Sequence, residues 1–196
     1  MIVYCATSNK GKLKEFQRAA PDFDVRTLPV PVPAPDETGD TFEANAVEKA
    51  LAYSMHTDEY LFADDSGLEV DVLNGAPGVH SARFSGENAT DTSNNALLLD
   101  RLKGASNRTA RFVCVIALVK GGQLIRTFRG EVDGRIIDPE HEHGPRGTSG
   151  FGYDPLFYYE PFGCTFGEAT LDQKMQVSHR ARALNQMFEY LRSLSL

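Results

Sequence analysis

The sequence predicts an α/β fold whose sheet has antiparallel portions. Three observations lead there. Short apolar runs rich in β-branched residues alternate with amphipathic segments in the first third of the chain. A strong strand over 111–119 is followed, across Lys120-Gly121-Gly122-Gln123, by a second over 124–132, which is hairpin spacing. After Ser178, Leu184, Met187, Phe188 and Leu191 recur at helical intervals. Strands and helices mix without strict alternation, so a purely parallel sheet is not expected.

Taken in order, residues 1–6 read as a short buried strand, 7–11 as a polar break, and about 12–20 as a helix with Leu13 and Phe16 on one face. Residues 24–28 form a second strand. Pro29-Val30-Pro31-Val32-Pro33-Ala34-Pro35 suits neither a helix nor a central strand, because proline removes backbone donors, and reads as a stiff extended connector. Asp40-Thr41-Phe42-Glu43 resembles a capping box that opens a helix to about Tyr53, with Asn45 and Lys49 one turn apart on the same face. Residues 61–63 lead as a strand into Asp64 and Asp65, and 68–73 return as another. A short helix over 92–102 turns Leu98 and Leu102 inward. Ser178 is the N-cap of the last helix, whose apolar positions are core.

A chain of 196 residues, 41% of them hydrophobic, supports one domain over 1–196 with a real core. The net charge of −7 argues against a surface that coats nucleic acid, yet a local cluster of lysine and arginine can still hold a mononucleotide. No apolar run approaches the ~20 residues that span a bilayer. The first residues are strand-like and carry no charged leader, so the expectation is a soluble cytoplasmic protein without a membrane partner. Cys5, Cys114 and Cys164 are odd in number and widely spaced, which reads as reduced thiols and not as a disulfide framework or zinc site. A nucleophilic Cys114 is the lesser alternative.

The most informative segment is Phe62-Ala63-Asp64-Asp65-Ser66-Gly67-Leu68. Paired carboxylates at a strand end are hard ligands suited to Mg²⁺ on a phosphate, although such a tetrapeptide also suits a plain turn. Thr7, Ser8, Asn9, Lys10, Gly11 and Lys12 stand where a strand hands over to a helix, a place that favours phosphate through backbone N–H groups and the Lys12 charge; an ordinary capping loop is the bland alternative. They do not form a Walker A loop. Asp36-Glu37-Thr38-Gly39 is either a surface turn or a source of metal ligands. Ser149-Gly150-Phe151-Gly152-Tyr153-Asp154-Pro155 suits either base stacking or a tight turn with core aromatics. Lys174, His179 and Arg180 around Ser178 suit phosphate and base contacts. His80, His141 and His143 receive no role, and the acidic segment 138–143 reads as a mobile loop and not as a metal site. Ser66 lacks the Gly-x-Ser-x-Gly elbow of a serine hydrolase.

In combination, Thr7 to Glu15, Thr38-Gly39-x-Thr41-Phe42-x-x-Asn45-Ala46-x-x-Lys49-Ala50, Ala63-Asp64-Asp65-Ser66-Gly67-Leu68, Gly75-Ala76-Pro77-Gly78-Val79-x-Ser81-Ala82-Arg83, Gly150-Phe151-Gly152-Tyr153-Asp154-Pro155 and Ser178-His179-Arg180 resemble the inosine/xanthosine triphosphate pyrophosphatases, the Ham1-like or RdgB-like house-cleaning enzymes. The motifs run in the family order over nearly the whole chain. The resemblance implies a long twisted mixed β-sheet flanked by helices, two lobes with a cleft between them, and a homodimer. It implies Mg²⁺-dependent hydrolysis of a purine nucleoside triphosphate, (d)ITP or XTP, to the monophosphate and pyrophosphate.

Carried over residue by residue, the resemblance places phosphates on Thr7, Ser8, Asn9, Lys10, Gly11 and Lys12. It makes Asp65 the base or metal ligand that activates water, and Asp36 the second metal ligand. Ser66, Phe151, Gly152, Tyr153, Asp154, Lys174, His179 and Arg180 bind substrate, and Lys12 and Lys49 oppose the charge of the leaving pyrophosphate. A 6-oxo purine needs donors at O6, for which His179 and Arg180 are candidates. Asp36 departs from the longer glutamate common at that position. The related Maf-type fold carries an arginine where Lys12 stands and lacks the Ser-His-Arg ending. A non-catalytic nucleotide sensor could dispense with Asp64 and Asp65. A nucleic-acid-binding module runs against the charge.

Overall fold

The computed structural model describes residues 1–142 and 144–194, so His143 and the last two residues lie outside the described chain. The strands are β1 (Ile2–Cys5), β2 (Asp24–Thr27), β3 (Leu61–Val70), β4 (Thr109–Lys120), β5 (Gln123–Ile136), β6 (Phe157–Tyr159) and β7 (Cys164–Thr165). They form one sheet in the order β2-β1-β3-β4-β5-β6-β7. β1 pairs in parallel with β2 from Ile2↔Asp24 and with β3 at Tyr4↔Leu61. Parallel neighbours need crossovers, which are α1 (Lys10–Ala19) and α2 (Phe42–Ser54). β5, β6 and β7 pair antiparallel. Between β4 and β5 stand only Gly121 and Gly122, at φ 54° and 76°; two left-handed residues in a two-residue loop are what a tight antiparallel hairpin requires. The expected mixed α/β sheet is thus present.

The remaining helices are α3 (Asp91–Arg101), α4 (Leu171–Val177) and α5 (His179–Ser193). α1 starts at Lys10, two residues earlier than predicted, because the Asn9 side chain caps it by accepting from the N–H groups of Gly11 and Lys12. α2 begins from Thr41, not Asp40, because the Thr41 hydroxyl accepts from Ala44 N. α3 has a full capping box between Thr90 and Ser93, and Ser178 caps α5 as expected.

One prediction fails in an instructive way. Asp64, Asp65, Ser66 and Gly67 do not end a strand: β3 continues through them to Val70, and 71–73 form a short 3-10 turn. Two acidic residues interrupt a strand when their carboxylates need water. Here both are satisfied within the protein, as described below, so the pleat carries on.

By contacts the chain divides into two compact units. The first comprises Met1–Ser66, Cys114–Glu131 and Ser178–Leu196; the second comprises Gly67–Val113 and Val132–Val177. β3, β4 and β5 each contribute residues to both. In the first unit, Phe62 meets Phe16 edge-on at 5.0 Å and Phe188 at 6.3 Å between ring centroids, joining β3 to α1 and α5. Leu184, Met187, Phe188 and Leu191 are fully buried, as their spacing predicted. The core of the second unit gathers Leu68, Leu98, Leu102, Phe112, Phe157 and Phe166. Burying an aromatic or aliphatic side chain of this size stabilises by about 1.5–3 kcal/mol. No helix among the described residues is long and apolar enough to cross a membrane.

Candidate active site

Successive residues of a strand point to opposite faces, and β3 uses this to separate its two aspartates. Asp64 turns to the face carrying α1 and α5. Lys12 Nζ lies 3.1 Å from its Oδ1 and 3.0 Å from its Oδ2, and Arg180 Nε donates to Oδ2 at 3.3 Å. Arg180 also donates to Glu15 at 2.5 Å and to Ser66 Oγ at 2.7 Å, and Ser66 Oγ donates on to Asp64 at 3.3 Å. Burial opposes the Asp64 charge, but Lys12, Arg180 and Lys49 outweigh it and hold this carboxyl far below the ordinary range.

Asp65 faces α2. Its Oδ2 accepts from Asn45 Nδ2 at 3.0 Å and its Oδ1 from Ser66 N at 2.9 Å. Burial raises its pKa; the Asn45 hydrogen bond opposes the rise and the Glu37 charge adds to it. Two neighbouring carboxylates therefore differ in kind: Asp64 is a neutralised anion, whereas Asp65 is a carboxylate with raised proton affinity. Lys49 Nζ bonds both Glu37 and the Asp64 carbonyl, the latter at 3.2 Å. Burial lowers the Lys49 pKa, yet Asp64 and Glu37 together raise it above the ordinary value. The predicted shared face of Asn45 and Lys49 is realised, one residue reaching each aspartate. Glu37 is the acid of the turn that reaches this cluster, while Asp36 is exposed.

The loop before α1 differs in detail from the sequence expectation. Thr7 Oγ1 accepts from Asn9 N at 3.1 Å, and Asn9 Oδ1 takes the N–H groups of Gly11 and Lys12 at 2.8 and 3.1 Å. Three of the amides expected to face a phosphate are thus used by the protein, and positive charge comes from the side chains of Lys10, exposed, and Lys12. Thr7, Ser8, Asn9 and Lys10 line a cavity of about 370 Å³ with Thr27, Val30 and Tyr53.

In the second unit, Asp154 and Lys174 form a buried pair at 2.7 Å. Asp154 Oδ2 also accepts from Phe151 N at 2.9 Å, and Lys174 Nζ sits 5.0 Å from the Phe151 ring centroid. Gly150 at φ 74° permits this closure, since a Cβ there would lie 2.0 Å from Asp154 Oδ2. Asp91 and Asn95 hold the N–H and C=O of Gly152 at 2.7 and 3.1 Å. Phe151 is half-buried beside a cavity of about 460 Å³ that Gly152 also lines. Tyr153 is different: its ring is in the core and its hydroxyl donates to Ser81 O at 2.7 Å, which fits the tight-turn reading for this aromatic.

The chain matches the profile of the Ham1 family over residues 3–190. The chain belongs to the Ham1 family. Among its relatives, the dITP/XTP pyrophosphatase of Desulfotalea psychrophila is 46% identical over 93% of this chain and 82% of its own length. The dITP/XTP pyrophosphatase of Staphylococcus aureus strain MW2 is 40% identical over 96% of this chain and 95% of its own. Solved structures agree: the Staphylococcus aureus Ham1 protein superposes with a TM-score of 0.86 at 39% identity, covering 98% of this chain and 99% of that one. A Ham1 protein from Coxiella burnetii gives 0.85 at 36% identity with the same coverage.

Within this Ham1-family chain, several groupings were not legible as sites. Glu15, one turn beyond Lys12, is 2% exposed and anchors Arg180. Arg180, taken as a substrate contact from sequence, is 1% exposed and bonded to Glu15, Asp64 and Ser66, so its guanidinium organises the acid pair. His179 is buried as the first residue of α5. Burial, then the Asp64 charge, pushes the Cys5 thiol up to about 12 and Cys114 above the usual thiol range, which removes the nucleophilic reading of Cys114. Cys164 is also a free thiol. In the described part of the acidic segment, Glu142 receives both Arg135 Nη groups at 2.7 and 2.9 Å and accepts from Asp138 N at 2.9 Å. His141 bonds Asp138, and His143 lies outside the described residues.

Proposed function

We propose that this chain hydrolyses deaminated purine nucleoside triphosphates, (d)ITP and XTP, to the monophosphate and pyrophosphate, cleansing the cytoplasmic nucleotide pool. The observation that carries the chemistry is the divided aspartate pair of β3. Asp65, with raised proton affinity, accepts a proton from water as that water attacks and the anhydride between the α- and β-phosphates breaks. Asp64 stays ionised and fixes Lys12 and Arg180. Lys12 and Lys49 oppose the charge that builds on the departing pyrophosphate. Lys10 and the 7–9 segment extend the contact along the phosphates. Phe151, with Gly152, Asp154 and Lys174, forms the base-binding part.

Mg²⁺ belongs to this reading, and the residues present fit it. Hard carboxylate oxygens of Asp65 and of the 36–37 turn, with Glu37 already close enough to raise the Asp65 pKa, form an acidic donor set of the kind that holds Mg²⁺, bordered by Lys49 and Lys12. Mg²⁺ usually takes one or two carboxylates and completes its shell with water and substrate oxygens. When bound it neutralises phosphate charge. A homodimer is part of the same reading, by kinship with the family.

The relatives' names support this reading, since they are dITP/XTP pyrophosphatases at 40–46% identity over most of the chain. The test is pyrophosphate release from dITP, XTP, dATP and dGTP, with Mg²⁺ and with EDTA. Metal-dependent turnover of dITP and XTP alone is the expected result. Equal turnover of all four would leave the hydrolysis but refute base selection, and no turnover of any would refute the enzyme.

A further inference from the structure

Asn45 carries a second role that the sequence pattern did not assign. Its side chain is wholly buried, and both ends of the carboxamide are in use. Nδ2 donates to Asp65 Oδ2 at 3.0 Å, and Oδ1 accepts from Gly39 N at 2.8 Å. Because Gly39 N can only donate, the amide orientation is fixed by chemistry: the oxygen must face Gly39 and the nitrogen must face Asp65. One rigid group thus spans the acidic turn of residues 36–39 and the β3 carboxylate.

The fit at the turn leaves no slack. A Cβ at Gly39 would lie 2.7 Å from Asn45 Oδ1 and 2.8 Å from Ala44 Cβ. Gly39 is therefore glycine because the amide comes so close to the backbone, not because its φ demands it. On the same helix, one turn later, Lys49 bonds Glu37 from the same turn. α2 grips the turn twice, once by its backbone through Asn45 and once by its acid through Lys49. Without the amide bridge, like charge would drive the carboxylates of Asp65 and Glu37 apart.

We propose that Asn45 is a positioning residue that sets the spacing between Asp65 and the acidic turn, and so preorganises the divalent-cation site. This rests on the metal-assisted reading above. It concerns the apo protein, so it can be tested without turnover. Partners that orient ligating carboxylates typically change metal affinity 10–100-fold when removed.

The measurement is Mn²⁺ binding to nucleotide-free protein by electron paramagnetic resonance, on wild type, Asn45→Ala and Gly39→Ala. Gly39→Ala keeps the Asn45 and Asp65 side chains but drives a Cβ against Asn45 Oδ1 and Ala44 Cβ, so it breaks the bridge from the side of the turn. Both variants are expected to weaken Mn²⁺ binding about tenfold or more, while nucleotide affinity in EDTA stays unchanged because lysines, not the amide, hold the phosphates. Folded variants with wild-type Mn²⁺ affinity would overturn the proposal, as would weakening in Asn45→Ala alone, which would limit Asn45 to Asp65. A third readout needs no variant: Mg²⁺ should slow hydrogen exchange at the Gly39 amide of the wild type, and unchanged exchange on saturation counts against the bridge. Wild type that binds no Mn²⁺ would instead refute the metal reading itself.

Discussion

Arg180 donates to Glu15 at 2.5 Å with both side chains almost wholly out of water, at 2% and 3% exposure. The pair lies behind the acid cluster: the same guanidinium continues to Asp64 and Ser66. Desolvation opposes the Arg180 charge, yet Glu15 and Asp64 together raise its pKa well beyond the usual value. Removing the cation would take an ion-pair partner from the buried Glu15 carboxylate and leave Asp64 to Lys12 and Lys49. Arg180→Leu should therefore destabilise the fold by about 3–5 kcal/mol in denaturant titration. A loss below ~1 kcal/mol would mean that Glu15 finds another partner.

Asp65→Asn keeps the shape of the side chain and removes its basicity. Turnover should fall by roughly 10²–10⁴, the usual worth of a general base, while nucleotide binding measured calorimetrically stays near wild type. The same assignment fixes the sign of the pH dependence. Burial raises the Asp65 pKa, so in metal-free protein its carboxyl should titrate above 3.8, the unperturbed value, when followed by NMR. A midpoint at or below 3.8 would remove the raised proton affinity assigned to Asp65.

Lys12 is the partly exposed cation on Asp64, with 18% of its side chain in water. Lys12→Ala should raise KM about tenfold or more, the scale of one charge-assisted contact, and lower kcat less. Unchanged steady-state constants would remove Lys12 from the phosphate path.

Gly130 of β5 is in backbone contact with the start of α5. An added Cβ would meet His179 O at 2.1 Å and Ala183 N at 2.6 Å, and neither backbone atom can turn aside. Gly130→Ala should cost about 1–3 kcal/mol and reduce turnover beyond what stability explains, because it displaces the turn that carries His179 and Arg180. Activity at the wild-type level in the folded variant would show that the position of α5 is not critical.

Arg135 holds Glu142 down to about 2 from 4.5, mainly through their paired hydrogen bonds. A lowered folded-state pKa means stabilisation that is complete above pH 4.5 and is lost as pH falls toward 2. Across that window wild type should lose more stability than Arg135→Gln. Parallel pH profiles of the midpoint denaturant concentration would show that the pair contributes nothing.

Much of the architecture was legible because it rests on local periodicity. The final helix, its Ser178 cap and its four core residues follow from the spacing alone, and the hairpin follows from Gly121-Gly122 between two strong strands. The helix starts at Asn9 and Thr41 were displaced by one or two residues, since neighbouring polar residues compete for a cap and only the hydrogen bond decides. β3 was misjudged because an aspartate pair looks like a strand end until its partners are known. Those partners, Lys12, Asn45 and Arg180, come from 20 to 116 residues away along the chain. Glu15 was hidden for the same reason: nothing adjacent to a buried ion-pair partner marks it.

The continuity of β3 has a consequence for how this chemistry can be inherited. Asp64 and Asp65 differ only in which side of one pleated ribbon they occupy, and the register Tyr4↔Leu61 sets that side. Sliding β3 by one residue would exchange them, delivering the reactive carboxylate to Lys12 and Arg180 and the neutralised one to Asn45. The division of labour is thus stored as parity. An insertion or deletion of one residue upstream in the strand scrambles it, while a shift by two restores each aspartate's side and spoils only its depth along the sheet.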